Sequence, residues 1–516
     1  MPSVASERNE LNTHVPGAVI IGTVAVVVSI STSLCLLFLH DVLSGPGDQL
    51  TYHRQAERLI PFTDHYYGPG YFVMLRLVHD VTGTDWFVAG KIVSWISACL
   101  FLFCTGVLSR RLLGRDQGML VLALVALNPT VIGQSYYEST IMFGAALVLA
   151  SITATTLAES ARPLAWLPCG LLFGVACLTR FQNNSMFLGA ILGTLLIPRI
   201  DVAKRIVRAV YLAIGGMLPI FGWSMFLRFT QGYSPRNYNF VHLTIALGEF
   251  DSFLQVPSII EKYGSVVGVL TSHWMAPIRI LAFAVKETLK FPFDTGFRLH
   301  FIAAGWLLPG LVAVALRRRF HGPWLGASLV GLFLTGLGSR GWLHYYTIFV
   351  PLTALFIAMA VATDERRFRR LLMKRSMLIS WCLILVSTAV WSPIMVKEEF
   401  LRNNWTECSL ARRFLEEHKI PGMLVCSTAA SLSYGATFQF VDQDMIVKPG
   451  DQEQLAGMLR RHKVTHFVIT ERHTIYEYPN LKYLLDDSVE NVPRGLDRML
   501  LVKYPKRLAI YQVRYD

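Results

Sequence analysis

The sequence predicts a polytopic α-helical membrane protein with a small α/β domain at its C-terminus, and three observations carry this prediction. Of its 516 residues, 53% are hydrophobic and only 16% are charged, whereas soluble domains carry about a quarter charged residues. Several apolar runs reach the roughly 20 residues that a helix needs to cross a bilayer. After residue 395, charged residues become frequent and the apolar runs shorten to strand length.

Basic residues set the predicted orientation. The net charge is +13, and the Lys/Arg clusters lie in short loops between apolar runs, which is typical of cytoplasmic loops. We therefore expect a multi-pass protein of the plasma or inner membrane, in contact with membrane lipids and with no nucleic-acid partner. The clusters placed in the cytoplasm are 110–115, 199–208, 317–319 and 366–375.

Keeping these clusters inside gives about eleven spans within residues 1–395. The N-terminus is then cytoplasmic, and residues 396–516 form an extracytoplasmic domain. The predicted spans are 18–40, 87–108, 117–133, 139–157, 165–179, 184–198, 210–229, 301–316, 323–338, 342–362 and 377–395.

The C-terminal domain shows strand and helix patterns in alternation. Strands are predicted at 423–428, 465–470, 498–504 and 508–514, and a helix at 451–463. Cys408 and Cys426 could form a disulfide there if that side of the membrane is oxidising.

The extracytoplasmic loop 41–86 is unusually polar. Tyr52, Ala56, Leu59 and Ile60 recur at helical spacing and predict an amphipathic helix along the membrane surface, with Asp48 at or before its start. Beyond it, residues 71–81 form an apolar piece too short to span, which we expect to pack against the bundle.

Other polar segments fall at predicted extracytoplasmic turns, while the cytoplasmic loops are short and lack GxGxxG and GxxxxGK[ST] patterns. No cysteines show metal-ligand spacing. The polar segments are NPTVIGQSYYES (128–139), LTRFQNN (178–184) and SRGWLHYYTIFVP (339–351).

These features resemble the GT-C glycosyltransferases, and the closest branch looks like the protein O-mannosyltransferases and lipid A aminoarabinose transferases. The resemblance covers most of the chain as architecture, including the soluble tail, and its motifs are short. The residues that carry it are Gly47, Asp48 and Tyr52, the Tyr-Gly-Pro-Gly-Tyr motif at 67–71, and the three polar segments above.

The resemblance implies an enzyme that takes a hexosyl or pentosyl group from a polyprenyl-phosphate carrier. Such enzymes transfer the sugar to a hydroxyl of a lipid, glycan or protein acceptor on the extracytoplasmic side. Asp48 matches the position of the family's general base, although Gln49 follows where the family often has a second acid. No cofactor is implied with certainty, and a divalent cation stays open.

The chemistry itself requires one acid and one or more cations at the outer face of the membrane. A hydroxyl becomes a useful nucleophile when a positioned carboxylate takes its proton, and the phosphate leaving group needs cationic or N–H partners. The predicted catalytic residues are Asp48 and Glu138, with no metal ligands. The predicted substrate-binding residues are Tyr52, Asp64, Tyr67, Arg180, Arg340, His344 and Tyr345.

Each candidate also has a structural alternative. Asp48 could be a helix N-cap, and Glu138 could serve the dipole of the helix that follows it. Arg180 could be an interfacial anchor, and Tyr345 could belong to an aromatic belt. Asp64 is the second candidate for the base.

A transporter or flippase of lipid-linked sugars is the alternative function. Transporters concentrate ionisable residues in mid-membrane and use repeats with interrupted helices. Here the predicted spans are nearly free of charge at their centres and show no internal repeat, which favours chemistry at the membrane surface. A non-catalytic scaffold would not need the acid-bearing first loop.

Overall fold

The fold was analysed in a computed structural model, which divides the chain into two compact units. Residues 1–37 and 55–399 belong to the first unit, and residues 38–54 and 400–516 to the second. The residues that the structure describes are 15, 17–40, 48–62, 68–138, 140–198, 200–233, 238–249, 256–290, 307–316, 322–338, 347–367, 373–403, 406–428, 432, 436–441, 452–471, 479–486, 492–503 and 507–515.

The predicted class is confirmed, because the chain is mostly helical with apolar spans and ends in a small sheet. The helices before the C-terminal domain are α1 (Ala18–Leu39), α2 (Asp48–Glu57), α3 (Pro69–Thr82), α4 (Trp86–Leu113), α5 (Arg115–Ala126), α6 (Pro129–Tyr136), α7 (Thr140–Leu157), α8 (Trp166–Cys177), α9 (Asn183–Leu195), α10 (Val202–Gln231), α11 (Val256–Tyr263), α12 (Val266–Thr271), α13 (Ala276–Lys290), α14 (Leu307–Leu316), α15 (Pro323–Gly338), α16 (Phe349–Arg367) and α17 (Met373–Asn403).

The predicted count of eleven spans is not confirmed, although each predicted span coincides with at least one helix. Among the described residues, five helices are long and apolar enough to cross a membrane, and the bent pair α5–α6 would make a sixth. Helices α8 and α9 have 12 and 13 residues. At 1.5 Å per residue they reach only about 18–20 Å, short of the roughly 30 Å of a bilayer core.

The α5–α6 pair is bent by 59° at the Leu127–Asn128 break. Asn128 caps α6 by accepting a hydrogen bond from the Thr130 backbone N–H at 2.9 Å, and Pro129 at the first helical position cannot donate to α5. The segment predicted as a turn at 128–139 therefore contains a helix, which is buried along its length.

Small residues bring neighbouring helices of the first unit together. Gly189 and Gly193 of α9 face Gly322 and Gly326 at the start of α15, and a Cβ on Gly189 would lie 2.5 Å from the Gly326 carbonyl oxygen. This is the small-xxx-small crossing that lets membrane helices pack at backbone distance.

The first loop is tied to the end of α10. Gln231 accepts a hydrogen bond from the Phe62 N–H at 2.8 Å and donates to the Phe62 carbonyl at 3.1 Å, while the Phe62 ring meets Trp223 edge-on at 5.4 Å. Helix α3 follows with a buried face and packs in the bundle as predicted for 71–81. Thus the loop has a fixed attachment point.

The predicted amphipathic helix of this loop is α2, with two differences. Tyr52 and Ala56 are buried as expected, but the helix ends at Glu57, so Ile60 lies beyond it and is 39% exposed. Gln55, which is not part of the predicted apolar face, is also buried, and its amide donates to the Arg58 carbonyl at 2.9 Å.

The second unit contains a mixed five-stranded sheet of order β2-β1-β3-β5-β4. Strands β1 and β2 are parallel, as are β1 and β3, and β5 is antiparallel to both β3 and β4. Its elements are α18 (Thr406–Glu417), β1 (Leu424–Ser427), β2 (Gln439–Val441), α19 (Gln452–Arg461), β3 (His466–Thr470), a 3-10 helix (Pro479–Leu485), β4 (Leu496–Val502) and β5 (Leu508–Val513).

The four predicted strands and the predicted helix are confirmed, while α18 and β2 were not predicted. Cys408 on α18 and Cys426 on β1 are both buried as thiols rather than joined in a disulfide. His466 on β3 is also buried, and burial together with the nearby His418 lowers its pKa below 6.5.

Candidate active site in the helical unit

Glu138 is the second residue after α6, and its side chain is only 1% exposed. Its side chain rests against the backbone of Gly90 on α4. A Cβ added at Gly90 would overlap Glu138 Cγ and lie 2.5 Å from Cδ and 2.7 Å from Oε1. Only glycine at position 90 leaves room for this carboxylate in its present place.

Tyr71, on the first turn of α3, lies close to Glu138. Burial raises the pKa of Tyr71 well above its ordinary value of 10.0, and the negative charge of Glu138 raises it further. The ring packs against Phe143 of α7 with centroids 6.2 Å apart. The phenol therefore stays protonated beside the carboxylate and can act only as a neutral donor or acceptor.

The Tyr-Gly-Pro-Gly-Tyr motif has a direct structural role at this place. The Gly70 N–H donates to the Leu178 carbonyl at 2.9 Å, and a Cβ on Gly68 would overlap the same carbonyl oxygen. The two glycines therefore bring the start of α3, with Tyr71, against the turn that carries Arg180.

Arg180 is buried to 6% exposure in that turn, between α8 and α9. Its Nε donates to Gln182 Oε1 at 3.4 Å. Asn183 braces the turn by donating to the Ala176 carbonyl at 2.7 Å, and Gly144 of α7 leaves the space, since a Cβ there would lie 2.9 Å from Asn183 Nδ2. The guanidinium is thus held on a rigid turn.

Lys91, the residue after Gly90, was not singled out from the sequence. It lies in the second turn of α4 and is only 2% exposed. A lone basic residue in an apolar run is the available sequence signal, because ionisable side chains inside membranes are costly and tend to be functional.

The structure connects Glu138 and Arg180 through Tyr71 and the 178–183 turn, all within the first unit.

Asp48 is the first residue of α2, and Tyr52 of the same helix is buried. The predicted contacts Asp64, Tyr67, Arg340, His344 and Tyr345 lie outside the described residues. Among the described residues, no three His, Cys, Asp or Glu side chains are grouped to hold a metal ion.

Comparisons with known proteins bear on the fold. No protein-family model matches the chain, and no relative was found among curated protein sequences. The oligosaccharyltransferase of Archaeoglobus fulgidus in complex with zinc and sulfate is similar with a TM-score of 0.55 and 14% identity, covering 89% of this chain and 70% of that one. AglB from Archaeoglobus fulgidus, in complex with an inhibitory peptide and a dolichol-phosphate, gives 0.51 and 12%, covering 90% and 72%.

ArnT from Cupriavidus metallidurans bound to undecaprenyl phosphate is also similar, with a TM-score of 0.47 and 12% identity over 94% of this chain and 97% of that one. The fold assignment rests on the two archaeal structures, whose scores are higher. At these identities the likeness concerns the fold alone: the chain has the fold seen in the two archaeal oligosaccharyltransferase structures.

Proposed function

We propose that the chain is an integral membrane glycosyltransferase, which moves a sugar from a polyprenyl-phosphate carrier to an acceptor hydroxyl on the extracytoplasmic side. The GT-C fold, aligned over 89% of the chain, carries this proposal. AglB, of similar fold, was solved with a dolichol-phosphate, which supports a lipid-phosphate donor. The membrane is the plasma or inner membrane, and the C-terminal domain lies outside it.

The proposed roles follow from the charges that the reaction develops. Asp48 takes the proton of the acceptor hydroxyl as it attacks the anomeric carbon. Arg180 binds the carrier phosphate, because a guanidinium forms two parallel bonds to phosphate oxygens. Buried Lys91 adds a second positive charge, and charges in a water-poor site act strongly.

Glu138 is proposed as the second carboxylate, which orients the acceptor with Tyr71 as its neutral neighbour. Burial restricts such groups to one geometry, as positioning requires. The remaining proposed substrate contacts are Tyr52, Asp64, Tyr67, Arg340, His344 and Tyr345. The oligosaccharyltransferase of Archaeoglobus fulgidus, which is similar in fold, was solved in complex with zinc, so a divalent cation is compatible with this proposal.

The test of the base compares two replacements of Asp48. Asp48→Asn preserves size and helix capping, since Asn caps about as well as Asp, but it cannot take a proton. We expect purified Asp48→Asn to bind the donor and to lose transfer by about 10²–10⁴-fold. Transfer is measured as release of polyprenyl phosphate from a panel of radiolabelled polyprenyl-phosphate sugars.

A capping role gives the opposite pattern. Asp48→Asn would then be nearly as active as the wild type, and Asp48→Ala would lose activity in proportion to its loss of thermal stability. If Asp48→Asn were active, the role of general base would be assigned to Asp64 or Glu138 instead. Absence of transfer by the wild-type protein with every donor would contradict the glycosyltransferase proposal itself.

One observation favours the flippase alternative. The α5–α6 pair is a broken helix, and transporters of several folds place substrate sites at helix breaks. Proteoliposomes with a fluorescent polyprenyl-phosphate sugar distinguish the two functions. A flippase would move the label between leaflets with its sugar attached, whereas a transferase would cleave the sugar only when an acceptor is present.

A further inference from the structure

The chain between α10 and α14 contains a helical hairpin formed by α12 and α13. The inner side of the hairpin is part of the protein core. Val269 of α12 and Ala276, Ile280 and Ala284 of α13 are all buried, at most 5% exposed, and the first and third of them pack with Phe240. The three α13 residues are spaced four apart, so they occupy one stripe of that helix.

The opposite side of the hairpin is apolar and exposed. Trp274 is 76% exposed, Val267 67%, and Ile278 and Leu281 53% each. Val285 of α13 is also exposed and extends this stripe, and on α12 Leu270 is exposed together with Val267. We call this surface the hairpin face and define it as Val267, Leu270, Trp274, Ile278, Leu281 and Val285.

Most charged residues of the hairpin are basic, and Glu287 near the end of α13 is its one acid in the sequence. Between Lys262 and Lys286 the sequence contains no Asp or Glu. Lys262 is engaged by Glu249 at 2.9 Å, whereas Arg279 and Lys286 are exposed one position after Ile278 and Val285 of the hairpin face. The cations therefore border the apolar stripe, as in helices that lie in the plane of a membrane surface.

The surroundings of the hairpin point to lipid as its partner. The chain enters this region from α10, a membrane-spanning candidate whose last turns expose Phe229 to 83%. An exposed tryptophan beside aliphatic side chains is typical of the membrane–water interface. A soluble loop would not keep such a patch without cover.

We propose that the hairpin face is inserted into the headgroup–acyl boundary of the bilayer, with Arg279 and Lys286 bound to anionic phospholipid headgroups. The hairpin then lies in the interface without crossing it, and it anchors the segment between α10 and α14. This proposal does not depend on the catalytic function.

Photocrosslinking in the full-length protein tests the lipid contact. A diazirine amino acid is placed at Leu281 in one protein and at Glu261, an exposed position of α11 outside the hairpin face, in the control. Both are reconstituted into vesicles of phosphatidylcholine with phosphatidylglycerol, irradiated and examined by mass spectrometry. We expect lipid adducts at Leu281 and few at Glu261.

Equal lipid adducts at the two positions, or protein adducts in place of lipid at Leu281, would overturn the membrane contact.

The preference for anionic headgroups is tested in the same assay. Arg279→Gln should lower the ratio of phosphatidylglycerol to phosphatidylcholine adducts roughly fivefold, whereas Lys262→Gln, whose lysine pairs with Glu249, should leave it unchanged. A ratio unaffected by Arg279→Gln would remove the headgroup part of the proposal.

Discussion

Gly90→Ala is the sharpest test of the carboxylate at Glu138. The added methyl group would lie 2.5 Å from Glu138 Cδ, about 0.9 Å inside the 3.4 Å at which ordinary contact begins. Helix α4 is packed on both sides of this point, so the carboxylate is the part that moves. Displacement of a positioned group by about 1 Å can cost about 10²-fold in rate.

The expected effect of Gly90→Ala on stability is small, because two contributions offset each other. Alanine is favoured over glycine in a helix interior by about 0.5–1 kcal/mol, which offsets the roughly 0.5–1.5 kcal/mol of moving Glu138 off its rotamer. We therefore expect Gly90→Ala to melt within a few degrees of the wild type. Transfer from a polyprenyl-phosphate sugar should nevertheless fall by about 10²-fold.

Gly106→Ala on the same helix is the matched control. Its new methyl group would lie 3.3 Å from Leu122 Cδ2, the mobile end of a side chain, and far along the helix from Glu138. Its activity should equal that of the wild type. Full activity of Gly90→Ala would show that the position of Glu138 does not matter to the reaction.

Three further predictions concern topology and stability. Reporter fusions after residues 115, 208, 319 and 375 should be cytoplasmic and fusions after residues 48 and 451 extracytoplasmic, because basic loops stay inside; a cytoplasmic signal at 451 would contradict the orientation. Gly326→Leu should destabilise the first unit by about 1–3 kcal/mol through overpacking, seen as a lower melting temperature, whereas Gly457→Ala on α19, with open space around it, should not. Because the folded-state pKa of His466 lies below 6.5, the neutral form is favoured on folding; the second unit should keep this stability above about pH 6.5 and lose it as the pH falls toward the folded pKa. His466→Gln should remove that part of the pH dependence of thermal unfolding, and an unchanged profile would contradict the role of His466.

The sequence predicted best those elements whose burial follows a simple period. Strands β3 and β5 are short apolar runs in a charged domain, and the sequence at the start of α19 contains the acids Asp451 and Glu453. Helix α18 was readable in principle, since Cys408, Ala411 and Leu415 recur at helical spacing. Strand β2 has three residues, too few for any alternation to appear.

The predicted count of eleven spans is not confirmed, and hydropathy alone does not fix such a count. Hydropathy measures the length of an apolar run, but it does not register where a backbone bends inside that run. The break at Asn128 divides a run of spanning length, while α8 and α9 have only 12 and 13 residues.

The candidate site could be predicted in part. Glu138 and Arg180 were visible as polar residues at the ends of apolar runs, and both lie in connected turns. Their connection depends on close backbone approach at Gly68, Gly70, and Gly90. A single sequence does not distinguish such glycines from those of an ordinary turn.

The bent α5–α6 pair also constrains how the protein enters its membrane. Its two pieces have 12 and 8 residues, about 18 and 12 Å long at 1.5 Å per residue, so neither can partition alone into a core of roughly 30 Å. Non-helical backbone at membrane depth is tolerated only when protein surrounds it. We therefore expect this segment to enter the membrane together with α4 and α7, the helices that flank it along the chain. Defects in α4 packing should then appear as topological errors in α5–α6 before they appear as lost stability.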